Sequence, residues 1–400
     1  MKKKKVCILG MGYIGLPTAA VLANKDYSVL GVDINKETVK IINSGNAHIY
    51  EPDLDKAVKS AVKSGKLFCK TIPDKADVYI ICVPTPLNNS TQIPSPNLDY
   101  VIKALKAITP YIRKGNLVIL ESTSPVGTTE MLRDVLDESG LDTTNLFIAY
   151  CPERVLPGKT LLELVNNDRI IGGVDLESSN EARLFYKTFV KGEIFTVNAP
   201  TAEMIKLVEN SYRDVNIAFA NELSIICDQA KIDVYDVINY SNKHPRVNIL
   251  DPGPGVGGHC IAIDPWFIVS MFPKQAKLIQ TAREGNKLKT EWVLSQIKEK
   301  VNTFKNKNGR KPTIVCCGIT YKPNIDDLRE SPALEIAKGL KRSKYNLKIL
   351  EPNIESSKDF EFIYNDYLEI KDSSDIIVFL VKHDQFKNII GHLVNTYFPK

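Results

Sequence analysis

The stretch from residue 5 to residue 35, KVCILGMGYIGLPTAAVLANKDYSVLGVDIN, decides the fold of the N-terminal part of the chain. A short apolar run leads into Gly10-x-Gly12-x-x-Gly15, and a helical stretch and a second apolar run follow, ending at Asp33. A strand, a glycine turn, a helix and a second strand, with an acidic residue 21 positions after Gly12, are typical of a Rossmann unit. The order of these features predicts an α/β domain that binds a dinucleotide.

Each part of this motif has a physical role in holding a dinucleotide. Gly10 makes a tight turn, Gly12 lets the backbone approach a pyrophosphate at the helix N-terminus, and Gly15 lets helix and strand pack closely. Asp33 binds the ribose hydroxyls and repels a 2′-phosphate, which favours NAD over NADP. The alternative is that the glycines serve packing alone. We expect NAD as the cofactor, with contacts from Gly10, Gly12, Tyr13, Ile14, Gly15 and Asp33.

Two later segments extend the same sheet. Residues 76–87 (ADVYIICVPTPL) and 116–130 (NLVILESTSPVGTTE) each begin as an apolar strand and end in residues typical of turns. Because ligands of open parallel sheets lie at the carboxyl ends of strands, Thr85 and Thr123 are expected to reach the cofactor. Ordinary turn chemistry explains either threonine nearly as well.

The segment 201–232 is predicted to be one long helix, since it holds no glycine or proline and its apolar residues recur at helical spacing. It would extend about 45 to 50 Å, enough to join two domains and to carry a dimer interface. Lys206, Asn210 and Arg213 form one polar stripe on it. A solvated face is the alternative explanation of the stripe.

A second α/β pattern begins with a strand at Thr313–Cys317 and Gly318. It is Rossmann-like without a full glycine fingerprint, and so could bind a nucleotide that is not a dinucleotide. The predicted fold class is therefore α/β, with two Rossmann-like doubly wound parallel-sheet domains joined by a long central helix. The expected domains are residues 1–198 (NAD-binding), 199–305 (helical, with a glycine-rich loop) and 306–400 (second nucleotide-binding).

Composition limits the class of protein. The chain has 400 residues, a net charge of +5, 44% hydrophobic and 25% charged residues, as in an ordinary globular protein with several domains. The basic run at residues 2–5 is too short for a nucleic-acid surface, and no apolar stretch reaches the ~20 residues that span a membrane. Eight cysteines without CxxC spacing favour a reducing, cytoplasmic setting and no structural metal.

One glycine-rich segment contains a cysteine that could be either structural or reactive. Residues 251–264, DPGPGVGGHCIAID, place four glycines and two prolines in the ten residues before Cys260. So many glycines together indicate a sharp bend or the close approach of another group. Taken alone, a surface loop with an inert cysteine is as good an explanation as a reactive thiol.

Seven motifs, taken in this order, resemble the UDP-glucose/GDP-mannose dehydrogenase family over essentially the whole chain. Within that family, HPRVNILDPGPGVGGHCIAIDPWF (244–267) is most similar to the members that act on UDP-N-acetyl-D-mannosamine. The UDP-glucose branch usually has a lysine where this chain has Ile263. UDP-N-acetylglucosamine is the serious alternative substrate, and UDP-glucose the weaker one. The motifs are GMGYIGLP, VPTP, ESTSPVGTT, CPERVLPGK, KLVENSYRDVNIAFANE, GPGVGGHCIAIDPWF and YKPNIDDLRESP.

The resemblance implies oxidation of a sugar C6 alcohol to a carboxylate with reduction of two NAD. It assigns Cys260 as the nucleophile that adds to the intermediate aldehyde, giving a thiohemiacetal and then a thioester. Lys206 and Asn210 would stabilise the oxyanion, Asp264 would share their water network, and Glu153 would assist thioester hydrolysis. Structural roles, such as a helix cap for Asp264, are the alternatives for the two acids.

The resemblance also implies the substrate contacts and the assembly. Arg329 would reach NAD, although an ion pair with Asp326 or Asp327 explains it equally well. A homodimer, or a dimer of dimers, is expected, with Arg246 entering the neighbouring subunit's site. Two other functions stay open, a one-step hydroxyacid or 6-phosphogluconate-type dehydrogenase and a non-catalytic NAD-sensing scaffold. The UDP-sugar would be held by Arg154, Val155, Lys206, Asn210, Arg213, His244, Arg246, Gly257, Tyr321 and Lys322.

Overall fold

The computed structural model describes residues 4–370, 374–387 and 396–397. The chain divides into two compact units, Met1–Val208 and Glu209–Lys400. Among the described residues, no helix is both long enough and apolar enough to cross a membrane. The same residues contain no group of three or more side chains suited to binding a metal ion.

An eight-stranded sheet forms the centre of the first unit, in the order β10-β9-β8-β7-β4-β1-β2-β3. Its neighbouring strands pair in parallel, as predicted, except that β8 and β9 are antiparallel. Strands β9 and β10 therefore run in the opposite direction to the other six, which the sequence did not indicate. The strands of this unit, including a small β5–β6 hairpin, are β1 (Lys5–Leu9), β2 (Ser28–Val32), β3 (Leu67–Lys70), β4 (Val78–Ile81), β5 (Leu87–Asn88), β6 (Ser95–Pro96), β7 (Leu117–Leu120), β8 (Phe147–Tyr150), β9 (Arg169–Gly173) and β10 (Ile194–Asn198).

Helices cover both faces of this sheet. Successive residues of β1 alternate between two separate cores, Val6 and Ile8 on one face and Cys7 and Leu9 on the other. That alternation, with both faces buried, is typical of a doubly wound sheet. The helices are α1 (Gly15–Asn24), α2 (Lys36–Asn43), α3 (Leu54–Lys63), α4 (Asp99–Ile108), α5 (Thr128–Glu138), α6 (Thr160–Asn166) and α7 (Leu176–Tyr186).

The long helix, α8 (Ala199–Ala230), has 32 residues and spans the division between the units. It begins and ends two residues earlier than the predicted segment 201–232. Pro200 lies in its first turn, where a missing N–H costs no helical hydrogen bond. Lys231 follows in the left-handed region (φ 57°), which ends the helix.

The second unit combines further helices with a parallel four-stranded sheet in the order β12-β11-β13-β14. The two Rossmann-like sheets confirm the predicted fold class. A second 32-residue helix, α11, was not predicted as such. The elements are α9 (Val234–Ser241), α10 (Asp264–Met271), α11 (Lys277–Asn308), β11 (Thr313–Cys317), α12 (Pro332–Arg342), β12 (Asn346–Leu350), β13 (Ile376–Phe379) and β14 (Thr396–Tyr397).

Candidate active site

The N-terminal glycine loop, residues 10–14, leaves β1 and enters α1. Gly10 has φ 88°, and a Cβ there would lie 2.5 Å from the carbonyl oxygen of Cys82. A Cβ on Gly15 would lie 1.9 Å from the carbonyl oxygen of Gly10. A Cβ on Gly12 would have no heavy atom within 4 Å, so the backbone there faces open space. Two glycines thus serve packing, and the third leaves room for a ligand.

Asp33 follows β2 and braces this loop. Its Oδ2 accepts a hydrogen bond from the Met11 N–H (3.0 Å), and its Oδ1 accepts one from the Asn35 N–H (2.9 Å). The side chain of the N-cap residue Ile14 makes no capping hydrogen bond, which suits the N-terminus of α1 to phosphate. Tyr13 is 41% exposed beside it. The open backbone at Gly12, the helix N-terminus and the half-buried carboxylate of Asp33 together fit NAD.

The two threonines predicted to reach the cofactor lie where the sheet geometry puts them. Thr85 follows β4 and Thr123 follows β7, both after the carboxyl end of a parallel strand, and both side chains are half-buried. The structure is compatible with the expected role of these hydroxyls, which stays a prediction.

Glu153, the carboxylate expected to assist hydrolysis, forms a buried ion pair. Its Oε2 accepts from Arg169 Nη1 at 2.6 Å, and both side chains are less than 5% exposed. Its Oε1 accepts from the Arg154 N–H at 2.8 Å, and Arg154 Nη2 donates to the Asp168 carbonyl at 2.6 Å. Arg169, at the start of β9, was not predicted, because nothing local in the sequence links it to Glu153.

A second buried carboxylate, Glu121, belongs to the same unit. Tyr186 Oη donates to its Oε1 (2.6 Å) and Cys82 Sγ to its Oε2 (3.1 Å). Burial raises the pKa of Glu121, and the charge of Glu153 raises it further. The guanidinium of Arg169 opposes this and also lies 5.5 Å from the centre of the Tyr186 ring. Glu121 lies in the ESTSPVGTT motif, and the sequence alone predicts no role for it.

The three residues of the polar stripe on α8 differ in how far they are buried. Lys206 is 9% exposed, Asn210 is half-buried and Arg213 is exposed. Asn210 Nδ2 donates to Asp264 Oδ2 at 2.6 Å, although the two residues are 54 positions apart in the chain. Asp264, at the start of α10, is 2% exposed. The structure thus brings together two of the predicted catalytic residues.

Residues 251–260 are called the nucleophile segment here, after the role expected of Cys260. The segment is glycine-rich because other parts of the second unit pack directly against it. A Cβ on Gly257 would lie 2.5 Å from the Glu330 carbonyl oxygen, and one on Gly258 would lie 2.8 Å from the Tyr321 ring. The Gly258 N–H donates to the Arg329 carbonyl at 3.0 Å. The segment therefore contacts the loop that carries Tyr321, a predicted substrate contact.

Cys260 ends this segment in a tight turn. Its carbonyl oxygen accepts from the N–H groups of Ile263 (3.0 Å) and Asp264 (2.8 Å), which joins the cysteine to the start of α10. The Cys260 side chain is half-buried. Most of the other cysteines are unsuited to nucleophilic chemistry because a protonated thiol is a poor nucleophile. Burial raises the pKa to about 12 at Cys7, Cys69, Cys151 and Cys316.

The remaining predicted residues lie at or near the surface. His244 and Arg246 are exposed, and the Arg246 N–H donates to His244 Nδ1 at 3.3 Å. Arg329 forms an ion pair with Asp327, with 2.6 Å between Nη2 and Oδ2, which is the alternative role considered for it. Its contact with NAD stays a prediction, as do the substrate contacts of Val155 and Lys322, both half-buried.

Three family models match the chain in sequence order: the NAD binding domain over residues 4–190, the central domain over 200–288 and the UDP binding domain over 315–398. All three describe one family. The chain belongs to the UDP-glucose/GDP-mannose dehydrogenase family. It is therefore an NAD-dependent nucleotide-sugar dehydrogenase, and the hydroxyacid dehydrogenase and scaffold alternatives fall away.

Individual relatives agree with this assignment. A UDP-N-acetyl-D-mannosamine dehydrogenase of Campylobacter jejuni is 50% identical, over 98% of each chain. An NDP-N-acetyl-D-galactosaminuronic acid dehydrogenase of Ralstonia nicotianae is 47% identical, over 96% of this chain and 92% of the relative. The solved structure of a UDP-D-ManNAc dehydrogenase from Pyrococcus horikoshii matches with a TM-score of 0.88 at 38% identity, covering 98% of this chain and 93% of that one.

Proposed function

We propose that this enzyme oxidises the C6 alcohol of UDP-N-acetyl-D-mannosamine to the carboxylate. Two features favour this sugar, the similarity to the Campylobacter jejuni enzyme and Ile263, where the UDP-glucose branch usually has lysine. The observation that carries the reaction type is Cys260, a half-buried cysteine in a turn that also holds Asp264, which is bonded to Asn210. An alcohol, water and two NAD give the carboxylate, two NADH and three protons.

NAD, when bound by the N-terminal glycine loop and Asp33, supplies the hydride acceptor for both oxidations. The aldehyde formed first has no carbinol hydrogen to give up until a nucleophile adds to it. Cys260 provides that nucleophile, and its sulfur bonds to the aldehyde carbon to form a thiohemiacetal. Oxidation of this adduct leaves a thioester on Cys260, which water then cleaves to the acid and the free thiol.

The negative charge that develops on the substrate oxygen is proposed to be stabilised by Lys206, Asn210 and Asp264. A largely buried ammonium stabilises an oxyanion strongly because little water screens it. The 2.6 Å bond from Asn210 to Asp264 fixes the amide, leaving its oxygen to accept from a water. Asp264 would thereby hold the Asn210 side chain in position without taking part in the reaction itself.

Glu153 is proposed to activate the water that cleaves the thioester. The ion pair with Arg169 holds one oxygen of its carboxylate in place, with 2.6 Å between Glu153 Oε2 and Arg169 Nη1. The bond from the Arg154 N–H holds its other oxygen in a fixed direction. Both interactions leave lone pairs on the carboxylate for a water molecule.

The UDP part of the substrate is proposed to bind through Arg154, Arg213, Tyr321, Lys322 and other predicted contacts. Arginine and lysine suit a diphosphate in charge and in hydrogen-bond geometry. Tyr321 and Lys322 lie within the residues matched by the UDP binding domain. Lys322 Nζ is 5.8 Å from the centre of the Tyr321 ring, so one loop supplies both an aromatic surface and a cation.

The experiment is an assay of NADH release with four substrates, the UDP derivatives of N-acetylmannosamine, N-acetylglucosamine, N-acetylgalactosamine and glucose. We expect the highest kcat/KM with UDP-N-acetylmannosamine. The loss with UDP-glucose should be large, because a site built to bond an acetamido group leaves its own polar atoms unpaired without one. Equal values for UDP-N-acetylmannosamine and UDP-glucose would refute the assignment of the sugar. The galacto-configured substrate tests the specificity named for the Ralstonia relative.

A homodimer built on α8 completes the proposal, with Arg246 acting in the neighbouring subunit's site. Helix α8 leaves four large apolar side chains exposed, those of Val208, Tyr212, Phe219 and Ile226. Arg246→Ala and Cys260→Ala should each be inactive alone. Co-refolded together, they should recover about a quarter of wild-type activity, since half the dimers are mixed and half their sites intact. No recovery would place the arginine in its own subunit's site.

The domain limits and the location of the enzyme are also proposals. We propose an NAD-binding domain at residues 1–198, a helical domain at 199–305 and a UDP-sugar domain at 306–400. The ranges of the three family matches support these limits. We propose a cytoplasmic location because six of the cysteines are buried thiols, as expected in a reducing compartment.

A further inference from the structure

Two buried ionisable side chains lie at the carboxyl edge of the second sheet, and neither is among the predicted catalytic or binding residues. Glu351 directly follows β12 and is fully buried, and His383 follows β13 and is 1% exposed. Between these strands lies β11, and residues 318–324, the C-terminal loop, leave its carboxyl end. Three neighbouring parallel strands therefore bring Glu351, His383 and this loop to one place.

Glu351 holds the beginning of the C-terminal loop. Its Oε2 accepts from the N–H groups of Ile319 (2.8 Å) and Thr320 (3.4 Å). Its Oε1 accepts from the Asn353 N–H at 3.0 Å. Burial alone would raise the pKa of Glu351, but the hydrogen bonds from His383 and the Ile319 N–H bring that pKa below its usual value. The carboxylate is thus ionised and fully engaged with protein groups.

His383 holds the end of the same loop. Its Nδ1 lies 2.9 Å from the backbone nitrogen of Asn324, and a backbone N–H can only donate. Nδ1 must therefore accept, which leaves the ring proton on Nε2. That nitrogen lies 3.1 Å from Glu351 Oε2, so it donates to the carboxylate. The imidazole of His383 thus links Glu351 to Asn324 through its two ring nitrogens.

The loop is consequently fixed at both ends, with Tyr321 and Lys322 in between. A second contact supports the far end, since Asn324 Nδ2 donates to Asp384 Oδ2 at 2.8 Å and the Asp384 N–H returns a bond to Asn324 Oδ1 at 2.9 Å. The Tyr321 ring packs against Gly258, two residues before Cys260. A displacement of the loop would therefore reach both the predicted UDP contacts and the nucleophile segment.

We propose that Glu351 and His383 form a positioning pair that fixes the C-terminal loop and, through Tyr321, the nucleophile segment. Neither side chain is accessible to a substrate, so the pair acts through the residues it holds. The identity of Tyr321 and Lys322 as UDP contacts rests on the proposed function. The hydrogen bonds that join Glu351 and His383 to the C-terminal loop are observed independently of the proposed function.

Two substitutions of His383 separate its two hydrogen bonds. In His383→Asn, Oδ1 takes the place of Nδ1, so the bond from Asn324 is kept and the donor to Glu351 is lost. In His383→Gln, the amide reaches the place of Nε2, so the donor is kept and the Asn324 N–H is left without its acceptor. Phe386→Leu is the control for packing, because the Phe386 ring contacts His383 edge-on, with 5.2 Å between ring centres.

The measurement is the dissociation constant of UDP by calorimetry, with that of NAD as the internal reference. We expect His383→Gln to weaken UDP binding about tenfold and His383→Asn to weaken it no more than about threefold, because only His383→Gln removes the hydrogen bond that holds Asn324 at the end of the C-terminal loop. NAD binding should not change in any variant. Alkylation of Cys260 by iodoacetamide should become several-fold faster in His383→Gln and stay near the wild-type rate in Phe386→Leu.

A folded His383→Gln protein that binds UDP as the wild type does would overturn the proposal. Equal losses of UDP affinity in His383→Gln and Phe386→Leu would also overturn it, because the pair would then contribute only core packing. If His383→Gln does not fold, Glu351→Gln replaces it, because the amide keeps the shape but turns one acceptor of backbone N–H groups into a donor. A wild type that binds UDP but oxidises no UDP-sugar would refute the proposed function alone.

Discussion

The N-terminal glycine loop and the C-terminal loop, which follow β1 and β11, have a similar backbone arrangement but differ in the residues that hold them. Both begin with a glycine in the left-handed region, Gly10 at φ 88° and Gly318 at φ 84°. In both sheets an acid at the end of the next strand accepts a hydrogen bond from the loop, Asp33 from the Met11 N–H and Glu351 from the Ile319 N–H. Asp33 is only half-buried, however, whereas Glu351 has no exposed surface.

This difference shows how one architecture can bind two nucleotides in different ways. The N-terminal glycine loop offers backbone, a helix N-terminus and an accessible acid, which suits a pyrophosphate and a ribose. The C-terminal loop instead presents the side chains of Tyr321 and Lys322, so it needs anchors that fix their direction. Burial of Glu351 and His383 provides those anchors and removes the acid from contact with a ligand.

The largest effect is expected where a glycine of the N-terminal loop touches backbone. Gly15→Ala places a methyl group 1.9 Å from the Gly10 carbonyl oxygen, so α1 must move away from β1. We expect the free energy of unfolding to fall by about 3 kcal/mol, measured by urea denaturation. Gly12→Ala is the matched control and should change it by less than about 1 kcal/mol. Similar losses in both variants would contradict the division of roles among the glycines.

Gly12→Ala should instead weaken the binding of NAD. The methyl group fits the folded chain but occupies the open space through which the pyrophosphate approaches the backbone. We expect the NAD dissociation constant to rise about tenfold, which corresponds to about 1.4 kcal/mol, while UDP binding is unchanged. Unchanged NAD affinity would mean that the cofactor does not approach the loop at Gly12.

A smaller effect is expected from Asp33→Asn, which tests the accessible acid. The amide keeps an acceptor for the Met11 N–H but removes the charge that repels a 2′-phosphate. NAD binding should weaken about fivefold and NADP binding should improve, so the gap between their kcat/KM values narrows. An enzyme that already prefers NADP, or a gap that does not change, would contradict the role of Asp33.

The sequence predicted those features whose physical cause is local. The spacing of Gly10, Gly12 and Gly15 implies a turn, an open position and a close contact, and the structure has all three. The apolar period predicted α8 to within two residues at each end.

Features that depend on distant partners were not predicted from the residues. The Glu153–Arg169 pair joins positions 16 apart, on the neighbouring strands β8 and β9 or just after them, and the Glu351–His383 pair joins positions 32 apart, after β12 and β13 with β11 between them. Nothing local distinguishes a buried acid that pairs in this way from a solvated one. The antiparallel direction of β9 has the same origin, since strand direction depends on which neighbour the strand meets.

The central claim is that Cys260 carries a covalent intermediate in an oxidation that uses two NAD for each sugar. The most direct measurement counts NADH and carboxylate formed per UDP-N-acetylmannosamine consumed, by the wild type and by Cys260→Ala. We expect two NADH per carboxylate from the wild type and no carboxylate from Cys260→Ala, because the second oxidation needs the thiohemiacetal. One NADH per product, or full carboxylate formation by Cys260→Ala, would contradict the account.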